Sequence, residues 1–476
     1  MSRLYKTLIG GKWKEGKESL PVTNKYTGEE IGSVPLTDKE TFEQAIQSAQ
    51  DGFSLISNLP AYQRSKILQR TSEAIEQGKE EISQIIAMEA GKALKHASAE
   101  VARAVQTFKF ASEEAKSIHG KTVPMDAAWG GEKRIGFYLR FPVGIIGAIS
   151  PFNFPLNLVA HKVAPAIAAG CSVVLKPASM TPLTSLKLGE IMMEAGLPDG
   201  ALNIIIGSGS TVGNQLVSDE RVAMITFTGS PPVGRDIKAK SGLKKLTLEL
   251  GSNSACIIDE SADLDSAVPR CIVGSFAYAG QVCISVQRIY IHNRIFDEFT
   301  ARFLKGTEAL KLGDPLDPKT DVGPMITEED AKRTESWVNQ AVSGGAKILT
   351  GGKRDGNFYH PTVLTKVKPD MKVMANEIFA PVVCLVPFDY FEDAVRMADD
   401  SIYGLQAGVY TSDIEKAFQA MKGIKVGGLI INDVPTYRAD QMPYGGVKES
   451  GMGREGLKYA IEEMTDIRMV VFNLQK

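Results

Sequence analysis

Cys283 lies in the run Gly280-Gln281-Val282-Cys283-Ile284-Ser285, a small-residue loop between an apolar helical stretch and a β-rich one. A thiol displayed in this way reads as a nucleophile, because its thiolate attacks electrophilic carbon better than other side chains. The ordinary alternative is a buried small hydrophobe. Three glycine-bearing stretches bear on phosphate binding. Residues 207–213 follow a strand but hold one residue too many for a dinucleotide turn, and residues 229–234 have only two glycines, at the turn and the helix start. Gly451-Met452-Gly453-Arg454-Glu455-Gly456 matches the fingerprint literally, yet no strand precedes it, so context rejects it. Arg103 on a helical pattern reads, alone, as a solvated face or a salt-bridge partner.

The elements around these residues alternate regularly. Strand-like runs at 144–149, 172–175, 202–206, 224–228 and 245–250 are separated by helical patterns at 156–169, 184–195, 211–217 and 233–241. That order predicts a doubly wound parallel sheet, with a nucleotide as the leading ligand at the carboxyl ends of its strands. A second α/β unit starts after Gly251: a strand at 255–258, a helix at 264–278, the cysteine loop, a strand at 287–292 and helices at 296–310 and 328–342. Before the first sheet, Trp13 and the turn Tyr26-Thr27-Gly28-Glu29 mark a small antiparallel start. Thr37-Asp38-Lys39-Glu40 has the form of a capping box, and further helical patterns run over 67–75, 82–88 and 93–118. Residues 133–141 alternate with period two, as an arm pairing with another chain or as an edge hairpin, and 468–472 is a second strand able to pair with it.

The chain has 476 residues, 43% hydrophobic and 23% charged, with net charge −2. This length calls for two or three domains, and this balance excludes a globally basic nucleic-acid surface or an acidic tail. Five cysteines without a Cys-x-x-Cys pair argue against a disulfide framework or a zinc site, so no metal is expected and the setting is reducing and cytoplasmic. Residues 1–18 lack a secretory apolar core, and the longest weakly polar run, 163–175, is too short to span a bilayer. No membrane partner is expected.

Taken with the cysteine loop, several motifs in order make the chain resemble the aldehyde dehydrogenase superfamily over nearly its whole length. They are residues 151–156, Lys176-Pro177-Ala178-Ser179, Phe227-Thr228-Gly229-Ser230, Leu248-Glu249-Leu250-Gly251, Glu377-Ile378-Phe379-Ala380-Pro381 and Pro443-Tyr444-Gly445-Gly446-Val447-Lys448. The resemblance implies an α/β fold of two doubly wound domains plus a small β oligomerisation arm. Residues 1–119 and 143–251 would form the cofactor domain, 252–449 the catalytic domain, and 120–142 with 450–476 the arm and C-terminal segment, in homodimers or homotetramers.

It also implies roles. Cys283 attacks the aldehyde; the Asn153 amide and the Cys283 N–H hold the oxyanion; hydride leaves to the nicotinamide; and Glu249 activates water against the thioester. Burial among Leu246, Leu248 and Leu250 would raise the pKa of Glu249. Lys162 matches a lysine near the active site. On the cofactor side the resemblance implies Ser150, Pro151, Phe152, Ala178, Gly209, Gly213, Thr228, Val233 and Leu250 around the dinucleotide. Lys176 would meet the adenosine ribose, Gly229 and Ser230 the pyrophosphate, and Glu377 and Phe379 the nicotinamide ribose. Many NAD-preferring members carry a glutamate three residues after the lysine, where this chain has Ser179. A carboxylate repels a 2′-phosphate and a serine does not, so NADP is expected to serve at least as well as NAD. Ser252 and Ala380 replace residues that are commonly glycine.

The pocket mouth implied by the resemblance comprises Phe154, Leu158, His161, Val282, Ile284, Tyr437, Arg438 and Tyr444, with Arg103 approaching from an earlier helix. His161, Arg103 and Arg438 suit a small oxygenated or anionic aldehyde. Val282 stands where members acting on phosphorylated aldehydes commonly have arginine. Residues 278–286 with 153–161 look most like the lactaldehyde dehydrogenase branch, including enzymes for sulfonated lactaldehyde. A short 2-hydroxyaldehyde is therefore expected, with succinate semialdehyde next. Glu249 argues against transfer to CoA, and Cys283 with Glu249 against a silent relative.

Overall fold

A computed structural model describes residues 4–474 of the chain. Its first sheet has six strands in the order Gly451–Met452, Lys245–Glu249, Val222–Thr228, Ile145–Ile149, Ser172–Lys176, Leu202–Ile204. All pairings are parallel except that of Gly451–Met452, which runs antiparallel along Leu248 and Glu249. Ile145–Ile149, an unbroken run without a polar side chain, is buried throughout, as a strand covered on both faces requires. The chain leaves this strand toward Ser172–Lys176 and later returns to its other side at Val222–Thr228. Such a reversal opens a crevice at the carboxyl ends, where Ser150, Pro177, Gly229 and Leu250 follow their strands.

Seven strands form the second sheet: Lys347–Thr350, Thr362–Thr365, Val382–Phe388, Arg288–His292, Ala255–Ile258, Gln406–Tyr410 and Gly428–Ile431. Only Lys347–Thr350 is antiparallel. A third, antiparallel sheet joins Lys121–Val123, Arg134–Pro142 and Thr465–Asn473. The two strands read as potential partners pair in register from Arg134↔Asn473 to Pro142↔Thr465. Their outer apolar residues Ile135, Leu139, Ile467, Met469 and Val471 stay exposed on this chain. Among the described residues no helix is long and apolar enough to cross a membrane.

Three local expectations are corrected. The first long helix, Lys39–Ile56, is capped by Asp38, whose carboxylate accepts from the Thr41 N–H at 2.8 Å; Thr37 instead accepts from the Ile206 N–H at 2.8 Å. Aspartate caps as well as threonine, and Thr37 is taken by the sheet. Residues 209–213 form a wide turn, capped by Ser208, before the short helix Asn214–Ser218. The helix expected over 264–278 ends at Phe276, because Tyr278 and Ala279 take left-handed φ of 51°. Left-handed backbone costs roughly 1–2 kcal/mol per residue. Here the Tyr278 hydroxyl, donating to the Ala90 carbonyl at 2.8 Å, helps hold the turn that brings the chain into the cysteine loop.

Candidate active site

Asn153 leaves the end of the central strand Ile145–Ile149 in a buried loop. Its Nδ2 donates to the Gln281 carbonyl at 3.0 Å, so the amide lies against the cysteine loop with its second N–H still to give. The loop is pinned from behind. Lys92 Nζ donates to the Asn153 carbonyl at 2.6 Å and pairs with Glu100 at 2.5 Å, with both side chains buried. The other Glu100 oxygen accepts from the Leu156 and Asn157 N–H groups at 2.9 and 3.1 Å, holding the start of helix Asn157–Ala169. The same ammonium sits 3.8 Å from the Phe154 ring centroid and 4.6 Å from that of Tyr278. Phe154 thus presents one face to a cation, and Lys92 joins the asparagine loop to the cysteine loop.

Cys283 is half-buried, with its Sγ 3.4 Å from the Tyr444 hydroxyl. Burial pushes its thiol up to about 11, while the Tyr444 hydrogen bond pulls the other way. Glu249 ends the strand Lys245–Glu249, and neither of its buried carboxyl oxygens has a protein partner. Desolvation, followed by the charge of Glu455, raises it well above the ordinary carboxylate range. Gly445 permits its close approach, since a Cβ there would stand 2.9 Å from Glu249 Oε1 and 2.8 Å from the Gly453 carbonyl.

Lys162 lies inside the helix Asn157–Ala169, whose residues are all buried. Its Nζ donates to Thr228 Oγ1 at 2.7 Å, to Thr226 Oγ1 at 3.3 Å and to Glu455 Oε1 at 3.0 Å. The second Glu455 oxygen accepts from Arg438 at 2.9 Å, and the Arg438 guanidinium carbon stacks 3.7 Å from the Tyr444 ring centroid. Asp440 forms a second anchor, accepting from Arg103 at 2.7 Å and meeting His161 Nε2 at 2.9 Å. Burial pushes His161 down to about 4, so it is neutral near pH 7. His161 is thus a polar and not a cationic group of the pocket, and both arginines already carry carboxylate partners. The buried Nε of Arg103, Nε of Arg438 and Nδ1 of His161 nonetheless have no protein partner. Ile284 packs against Leu405 and Tyr444, with Val282 and Met442 beside it; Leu158 is buried and Tyr437 exposed.

Along the crevice, Ser150 Oγ is buried without a partner. The Lys176 Nζ donates to the Pro177 carbonyl at 3.2 Å, and burial brings its ammonium down to about 8. Ser179, beyond Ala178, donates its hydroxyl to the Gly207 carbonyl at 2.9 Å. A Cβ on Gly209 would meet nothing, whereas one on Gly213 would touch the Lys176 stem at 3.7 Å. Gly229 donates to the Glu249 carbonyl at 3.0 Å, and Ser230 precedes helix Pro231–Lys240, on which Val233 is exposed and Gly234 packs against Leu250. Phe379, at φ 50°, meets the Phe152 ring edge-on at 5.9 Å between centroids, and Pro151 precedes that ring. Glu377 accepts from the Ser252 N–H at 3.0 Å, with burial pushing its carboxyl up to about 7.

Residues 13–470 match the model of the aldehyde dehydrogenase family. The chain belongs to that family. It is 48% identical to a 3-sulfolactaldehyde dehydrogenase of Priestia aryabhattai over 470 residues, covering 99% of this chain and 98% of the relative. A lactaldehyde dehydrogenase of Methanocaldococcus jannaschii is 42% identical over 469 residues, covering 98% and 99%. The crystal structure of aldehyde dehydrogenase 21 from Physcomitrella patens, in complex with the reaction product succinate, superposes with a TM-score of 0.98 at 42% identity, covering 100% of this chain and 99% of that one.

Sequence reading missed Glu455, Asp440, Lys92 and Glu100, which connect the aldehyde dehydrogenase site residues. Glu455 sits inside the glycine-rich stretch rejected as a dinucleotide turn, and its carboxylate is the common partner of Lys162 and Arg438. The only local sign was a carboxylate within an apolar, glycine-rich neighbourhood.

Proposed function

We propose that this aldehyde dehydrogenase oxidises a short, polar 2-hydroxyaldehyde, lactaldehyde or 3-sulfolactaldehyde, to its carboxylate with NADP or NAD. The observation carrying this reading is the approach of the Asn153 amide to the Gln281 carbonyl, at the edge of the Cys283 loop. Cys283 forms a C–S bond to the carbonyl carbon, and the oxygen takes the electron pair and meets the free Asn153 N–H. Once the aldehyde hydrogen has left that adduct as hydride and a thioester remains, Glu249, desolvated and without a protein partner, takes a proton from the water that attacks it. Water is thus the acyl acceptor, not CoA.

A nicotinamide dinucleotide fits the crevice, because the unpartnered Ser150 Oγ, the buried Lys176 and the open Gly209 line its opening. Lys176 and Ser179 would hold the adenosine end, Gly229 and Ser230 the phosphates, and Glu377 with Phe379 the nicotinamide end. When bound, it supplies the hydride acceptor. Ser179 brings no negative charge to the adenosine end, which supports use of NADP.

The unpartnered Arg103 and Arg438 N–H groups favour an oxygen-rich head on the aldehyde, sulfonate or carboxylate. We assign residues 1–119 and 143–251 to cofactor binding, 252–449 to catalysis, and 120–142 with 450–476 to assembly. The exposed apolar edge of the arm supports a homodimer or homotetramer, and five free thiols suit the cytoplasm. Reduced-cofactor absorbance with lactaldehyde, 3-sulfolactaldehyde, succinate semialdehyde and hexanal tests the assignment. Preference for either of the first two supports it, succinate semialdehyde as the best substrate selects the runner-up, and equal rates with hexanal contradict the polar pocket.

A further inference from the structure

Cys283 poses a problem for its own chemistry, because burial holds its thiol near 11 while attack needs the thiolate. Of the charged groups facing the sulfur, Glu377 and Glu249 disfavour the anion and Arg438 favours it. Among the described residues the hydrogen-bond partner of the sulfur is the Tyr444 hydroxyl, at 3.4 Å. Tyr444 is buried, and its own ionisation is pushed well up, chiefly by that burial, so it remains a phenol with a proton to donate. The Arg438 guanidinium carbon lies over its ring, 3.7 Å from the centroid, and a cation there withdraws charge from the phenol and strengthens its O–H as a donor. Arg438 is itself fixed by Glu455, which Lys162 also holds.

We propose that Tyr444 is a further catalytic residue, whose hydroxyl donates a hydrogen bond to the Cys283 thiolate and raises the share of the reactive anion, with Arg438 as the positioning and polarising residue behind it. This rests on the reading of Cys283 as nucleophile. The S–H bond of Cys283 breaks and its proton leaves to solvent; Tyr444 keeps its own proton and points it at the sulfur. When the C–S bond forms, the sulfur lone pair becomes the bond, the aldehyde oxygen takes the negative charge, and the Tyr444 bond to sulfur weakens. The hydrogen bond therefore acts mainly on the free thiolate. It increases the amount of thiolate while lowering the reactivity of each one, the trade expected when a thiol is acidified.

The test is alkylation of Cys283 by iodoacetamide as a function of pH, followed by peptide mass in the intact enzyme. Tyr444→Phe removes only the hydroxyl. A lost hydrogen bond to a charged group should move the alkylation inflection up by about one to two pH units. The rate at pH 7.5 should fall several-fold, while the plateau rate at high pH should rise, which also reports an intact loop. Replacing Tyr444 with 3-fluorotyrosine, a stronger donor of nearly the same shape, should move the inflection the other way. An unchanged inflection in either variant overturns the proposal. Alkylation is read at the sulfur whether or not aldehyde turns over, so retained turnover in Cys283→Ser would instead defeat the nucleophile assignment.

Discussion

Lys162 and Glu455, separated by 293 positions in the chain, meet inside the protein with Nζ 3.0 Å from Oε1. Both side chains are buried, and Glu455 also neutralises Arg438. The pair fixes the helix behind Asn153 to the segment carrying Gly445, so the Asn153 loop and the pocket of Glu249 share one electrostatic anchor. Glu455→Gln leaves two buried cations without a counter-charge, which should cost about 3–5 kcal/mol in denaturant unfolding. Glu455 also raises the pKa of Glu249, so its removal should move the acid limb of the rate profile to lower pH. An unchanged limb would separate Glu455 from the base.

Lys92→Met should lower kcat/KM by about tenfold through a loosened Asn153 loop, a 1 kcal/mol-scale loss of positioning. It should also destabilise the fold by about 3 kcal/mol, because Glu100 is left buried and unpaired. Lys92→Arg should recover the stability more than the rate, since a guanidinium restores the charge beside Glu100 but spreads its donors in a plane instead of at the one point that bonds the Asn153 carbonyl. Steady-state kinetics beside urea titrations check both effects, and equal rates in wild type and Lys92→Met would remove Lys92 from the account.

Arg103 is half-buried and shares Asp440 with a neutral His161. Arg103→Gln should raise KM for 3-sulfolactaldehyde or succinate semialdehyde about 10–100-fold, the loss of a charge-assisted hydrogen bond. Lactaldehyde, which has no charge, should feel less than a threefold change on the same arithmetic. Equal KM changes for charged and uncharged aldehydes would show that Arg103 is structural.

Ser179→Glu puts a carboxylate where a neutral hydroxyl now bonds the Gly207 carbonyl. NADP efficiency should fall about a hundredfold while NAD efficiency holds or rises, from repulsion of a 2′-phosphate. Efficiencies measured with both cofactors decide it. A hundredfold NAD preference already present in the wild type would contradict the role given to Ser179.

Glu377 has a folded value raised to about 7 above an ordinary value of 4.5, so its contribution is stabilising below pH 4.5 and is lost as pH climbs toward 7. Glu377→Gln should therefore gain about 1–2 kcal/mol relative to wild type at pH 8 compared with pH 4.5, with the side chain's partial exposure limiting the size. Thermal unfolding across that range checks the sign.

The parallel sheet was legible because short apolar runs such as Ile145–Ile149 alternate with helical patterns, and local periodicity carries that information. The family was legible because the motifs around Asn153, Glu249 and Cys283 are each written in a few adjacent residues. The helix end at Phe276 was not, since Tyr278 and Ala279 continue an apolar pattern while the bond that helps hold the turn reaches from Tyr278 to distant Ala90. Lys92, Glu100, Asp440 and Glu455 look like surface charges in one dimension. Their burial comes from packing between distant segments, which periodicity does not encode.

The central claim is a thioester on Cys283 that Glu249 clears with water. Mixing Glu249→Gln with NADP and 3-sulfolactaldehyde should release a burst near one reduced cofactor per subunit. Intact-protein and peptide mass should then show the acyl group on Cys283, with steady turnover down about 10²–10⁴-fold. Wild-type turnover in Glu249→Gln, or an acyl group on any other residue, would contradict the account.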